Sequence, residues 1–77
     1  MTDPAAAPSL ALARDLRRAL KRREQTLAPA IEAYDFATDG RARIRAAAQL
    51  MLTLERAEGE FRAAYQAAVE RCERAEA

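Results

Sequence analysis

Ile44, Ala47, Met51, Leu54, Glu58, Phe61, Tyr65, Ala68, Cys72 and Ala75 follow one another at alternating steps of three and four residues, and of the ten only Glu58 is neither apolar nor small. An uninterrupted stripe of this period belongs to one face of a long α-helix that lies along another helix. It predicts a helix from about Arg41 to near the C-terminus. The residues upstream are then the natural partner for its seam.

That upstream segment carries a matching pattern. Leu12, Leu16, Ala19, Leu20, Leu27, Ile31 and Tyr34 recur at helical spacing, with Arg23 standing where an apolar residue is due. Ser9 follows Pro8 and is placed to cap this first helix. Residues 1–8, with Pro4 and Pro8, read as a disordered N-terminal tail. Pro29 removes a backbone donor inside the pattern. Either the first helix runs on with a kink, or it breaks and restarts with Thr26 as a cap; the apolar stripe keeps its phase across Pro29, which favours the kink. Thr38-Asp39-Gly40 is the strongest stop signal: Gly40 offers a left-handed residue to end the helix, and Thr38 or Asp39 a cap for the next. So short a connection makes antiparallel neighbours.

The fold class expected is therefore all-α, an antiparallel helical hairpin occupying residues 9–77. Folding at residues 39–40 sets Tyr34 opposite Ile44, Leu27 opposite Met51 and Leu54, Leu16 opposite Phe61 and Tyr65, and Leu12 opposite Ala68. Arg23 and Glu58, each the charge that interrupts its own stripe, fall at one level, where a buried ion pair would fix the register. Beyond the seam, Leu50, Leu52, Ala57, Ala64 and Val69 widen the apolar surface of the second helix. A helix apolar on two sides expects two neighbours. Those five residues are the expected partner-binding flank, completing a helical bundle either with a second copy of the chain, since twofold homodimers are the commonest assemblies, or with a helix of a larger protein. Gly59 lies inside the second helix, as a tolerated weak point or a site of close approach by another chain.

Composition excludes more than it assigns. The chain has 77 residues, a formal charge of +1 and no histidine. There is no His-based acid–base pair and no His/Cys metal cluster, and Cys72 has no activating histidine. No catalytic, cofactor or metal site is expected, and the protein is not expected to be an enzyme; Arg23 and Glu58 as a polar pocket would lack supporting polar residues. The lone cysteine and the absence of a leader-like start or an apolar run of spanning length lead to a cytoplasmic expectation, without membrane association. The heavy use of alanine and arginine suggests a bacterial gene. Residues 1–23 hold six basic and two acidic groups. Of these, Arg14, Arg17, Arg18, Lys21 and Arg22 lie opposite the apolar stripe of the first helix, and such a stripe can follow a phosphate backbone. Arg41, Arg43 and Arg45 form a second cluster near the bend, read as solvated. The aromatic residues sit on the seams and leave no platform for stacking bases. The function expected is a small non-enzymatic protein–protein interaction module (an adaptor, chaperone or assembly factor). The alternative is a dimeric helical-bundle regulator that binds nucleic acid through the basic stripe.

Overall fold

The computed structural model describes residues 6–76 and the side chains of residues 8–76. Two helices, α1 (Ala6–Asp35) and α2 (Gly40–Glu76), pack antiparallel against each other, and no strand occurs among the described residues. The Cα extents are 59 × 21 × 8 Å. The molecule is thus a slab two helices wide and one helix thick, with two open faces.

Helix α1 begins earlier than Ser9. Residues 1–5 of the expected tail lie outside the described residues, whereas Ala6, Ala7 and Pro8 form the first turn. Proline is tolerated there because the first four N–H groups of a helix have no intrahelical acceptor. At Pro29 the helix continues without a break to Asp35. Its end tightens: the Phe36 amide donates to the Glu32 carbonyl at 2.9 Å and the Ala37 amide to the Tyr34 carbonyl at 3.3 Å.

The turn closes by a device other than a left-handed glycine. No glycine has positive φ among the described residues, and Gly40 is the first residue of α2. Asp39 is the cap: its Oδ1 accepts from the Ala42 amide at 2.8 Å, and its carbonyl from the Arg43 amide at 3.0 Å. Such a cap is worth about 1 kcal/mol. The frayed end of α1 is closed from across the turn. Arg43 donates to the Ala37 carbonyl at 3.1 Å, and its guanidinium lies 5.8 Å from the centre of the Tyr34 ring. Arg43, read from sequence as a solvated charge, therefore ties the two helices together.

Two ion pairs cross between the helices among the described residues. Arg23 meets Glu58 at 2.6 Å, and Arg71 meets Asp15 at 3.0 Å. The first confirms the level at which the hairpin register brings these residues together. It corrects their environment, because 36% of the Arg23 side chain and 41% of the Glu58 side chain remain exposed. Arg23 also lies 5.7 Å from the centre of the Phe61 ring.

The rotation of α2 about its own axis differs from the simplest reading of its seam. Among the described residues Thr53, Ala57 and Ala68 are buried, and no large side chain is fully buried. Ala46, Leu50, Thr53, Ala57 and Ala64, again at steps of four and three (with one step of seven), face α1 together with Ala68. On α1 the inward positions are Leu12, Leu16, Ala19, Arg23, Thr26 and Ala30. Small side chains allow two backbones to approach closely, so the alanine-rich stripe takes the interface and the bulky stripe turns to its edge. Leu54, Phe61 and Cys72 are half-buried at that edge, while Ile44, Met51 and Tyr65 are exposed. Gly59 lies away from α1, and a Cβ built there meets nothing within 4 Å. Within this chain it is a weak point of about 1 kcal/mol relative to alanine and no site of close approach.

Candidate functional site

The residues one position after each interface residue define a second surface. On α1 these are Leu20, Leu27 and Ile31, next to Ala19, Thr26 and Ala30, with Ala13, Arg17 and Glu24 next to Leu12, Leu16 and Arg23; Tyr34 extends the row by one turn. On α2 they are Met51, Glu58 and Tyr65, next to Leu50, Ala57 and Ala64, with Ala47, Leu54 and Val69 next to Ala46, Thr53 and Ala68; Ile44 lies one heptad before Met51. Both helices are right-handed and they run antiparallel, so a step of one residue past the interface falls on the same side of the slab in each. The Arg23–Glu58 pair bridges the helices on that side.

This face is apolar and open. Ile44 is 73% exposed and Met51 57%, and Leu20, Ile31, Tyr34 and Tyr65 are each more than a third exposed. Six side chains of this size present on the order of 600 Å². A monomer rarely shows a contiguous apolar patch above a few hundred Å², whereas a stable interface buries about 800 Å² per partner. The whole chain exposes 6176 Å², against about 4,700 Å² for a compact monomer of its mass. Between its apolar levels stands the ion pair of Arg23 with Glu58, and Arg17 and Glu24 add exposed charges on the α1 side. The Arg23 Nε is buried and has no hydrogen-bond partner within the chain. A donor left in that state costs about 1–3 kcal/mol.

The opposite face is polar. One cleft there is lined by Asp15, Arg18, Arg22 and Arg71 around Ala19, Ala64 and Ala67, and a neighbouring one by Arg22, Arg23 and Glu60 around Ala57 and Phe61. Arg71 is taken up by Asp15. Arg14, Arg17, Arg18, Lys21 and Arg22 are all exposed on the outer side of α1, and none is in an ion pair among the described residues. No group of three or more metal-ligating side chains occurs among the described residues, and none of their helices is long and apolar enough to cross a membrane.

The five residues expected to form the partner-binding flank are placed as follows. Ala57 is 2% exposed and lines the hairpin interface with Ala64; Leu50 and Val69 are half-buried; Leu52 alone is well exposed. Most of that flank is taken up inside the hairpin. The apolar surface left open is carried by residues that periodicity assigned to the seam: Ile44, Met51 and Tyr65, with Leu20, Ile31 and Tyr34. The signal that separates the two stripes is side-chain size, since the inward stripe is mostly alanine and the outward one is not. Comparison with protein-family models, with curated proteins and with solved structures finds no match to this chain.

Proposed function

We propose that the protein is a small non-enzymatic interaction module, an adaptor, chaperone or assembly factor, whose apolar face receives helices of another chain. The observation that carries this reading is the pairing of a nearly empty core with a large apolar face. Among the described residues only Thr53, Ala57 and Ala68 are buried, while Ile44, Met51 and Tyr65 lie outside. Burial of apolar area is the main source of folding free energy, and a two-helix chain of this size cannot draw enough from so small a core. Its stability is then linked to whatever covers the face.

Purified alone, the chain is expected either to self-associate at micromolar concentration or to melt at a low temperature with weak amide protection. Met51→Glu and Tyr65→Lys should abolish association in light scattering, or capture of the partner, and bring the melting midpoint down to that of the parent diluted below its association range. A monomer at all concentrations with strong amide protection along both helices would overturn the reading.

The second reading, a dimeric nucleic-acid-binding regulator, draws support from the five exposed basic side chains on α1, which form no ion pair among the described residues. It requires retardation of duplex or single-stranded nucleic acid at low salt, a steep loss of affinity with added salt, and abolition by Arg14→Glu, Arg18→Glu and Arg22→Glu together. Retardation that survives this triple change removes the basic stripe as its cause.

A further inference from the structure

Resting on the reading of the open face as an interaction surface, we propose that its occupant is a second copy of this chain, stacked face to face about a twofold axis parallel to the helices. In this arrangement both hairpin turns lie at the same end, and α1 of each copy covers α2 of the other.

Charge selects the axis. Two copies can stack their open faces about an axis along the helices or about one across them. With the axis across, α1 lies on α1 and α2 on α2. With the axis passing at their level, Arg23 would then meet Arg23 and Glu58 meet Glu58, and slipping toward the start of α1 sets Arg23 against Leu20 and Arg17. With the axis along the helices, Arg23 faces Glu58 of the second copy wherever the axis stands. Around the bundle the four charges then alternate, arginine to glutamate to arginine to glutamate. A like-charge layer inside an interface opposes association, whereas an alternating one fixes register.

Two further observations agree. The Glu58 carboxylate has one arginine contact in one chain, and with 41% of its side chain and 36% of that of Arg23 still exposed, each remains open to the opposite charge of the second copy. Layer by layer, the apolar levels also match themselves: Tyr34 and Ile44 near the turns meet the same pair, and Leu20 and Tyr65 beyond the charged layer do likewise. The area is that of a dimer, since a face on the order of 600 Å² of side chain, together with the rims of α1 and α2, approaches the roughly 800 Å² per partner of a stable interface.

Two measurements on the full chain test this. In the first, Thr38→Cys in a Cys72→Ala background is spin-labelled in the turn. The turn-to-turn distance by pulsed electron resonance should lie under about 30 Å, since stacked helices stand about 10 Å apart. A distance near the 59 Å length of the slab would place the turns at opposite ends and overturn the arrangement. In the second, Arg23→Glu and Glu58→Arg are each expected to weaken self-association at least tenfold. An equimolar mixture should restore it, because the mixed dimer sets the introduced glutamate of one variant against the introduced arginine of the other. Failure of the mixture to associate, or homodimers of either variant as tight as the parent, overturns the charge layer. In either event the interaction reading stands or falls separately, on Met51→Glu and Tyr65→Lys.

Discussion

Ala57→Leu should destabilise the protein by about 1–3 kcal/mol, the cost of forcing extra methylenes into a packed contact. Ala57 is 2% exposed and lies against the segment of α1 that carries Ala19, Arg22 and Arg23. A leucine there must push the helices apart at the level where the Arg23–Glu58 pair and the Phe61 ring hold them. A chain of this length has only a few kcal/mol to lose, and each kcal/mol moves the melting midpoint by about 4–8 °C. Thermal melts of the parent, Ala57→Leu and Leu52→Lys measure it. Leu52, well exposed on the other side of α2, should tolerate lysine within about 0.5 kcal/mol. The comparison discriminates between two rotations of α2. If Met51 and Tyr65 were the inward residues, Ala57 would lie on the flank and accept leucine without loss.

That rotation marks the boundary of what the sequence carries. The existence of both helices, the place of the turn and the level of Arg23 with Glu58 follow from periodicity and from Asp39, because each depends on a local rule or on chain length. Rotation about a helix axis does not. The stripe through Ile44 and Met51 and the stripe through Ala46 and Ala57 both repeat at steps of three and four, and hydrophobicity favours the first. The hairpin centres on the second and keeps Ala68, with Leu54, Phe61 and Cys72 half-buried, from the first, since small side chains admit the closer approach. The turn was half legible for a similar reason. Asp39 caps as its type predicts, but the role expected of Gly40 passes to Arg43, a long side chain whose reach back to the Ala37 carbonyl is a tertiary matter. The Arg23–Glu58 pair was legible as a contact but not in its exposure, which depends on whether one chain or two surround it. In one chain, with both side chains more than a third exposed, its coupling should not exceed about 1 kcal/mol.

Replacing Pro29 by alanine should stabilise the protein by about 2 kcal/mol and raise the melting midpoint by roughly 8–16 °C. Pro29 is exposed and sits well inside α1, with a full turn of helix following it to Asp35. It has no N–H, so the Gln25 carbonyl loses its intrahelical donor, and the proline ring crowds the same carbonyl. Alanine supplies that hydrogen bond and removes the crowding, while the unfolded chain gains freedom worth less than about 1 kcal/mol in the opposite direction. The gain should be local as well as global. Amide protection should rise most between Ala30 and Asp35, where α1 is now held mainly from outside by Arg43 stacking on Tyr34 and capping Ala37. The result also bears on why a proline is there at all. If the bend it imposes lets the end of α1 follow α2 into the turn, straightening the helix would pull Tyr34 away from Arg43. Pro29→Ala would then leave the melting midpoint unchanged or lower it, and protection after residue 30 would fall. An unchanged or lowered midpoint would mean that the proline serves the hairpin's shape at a cost the turn contacts already offset.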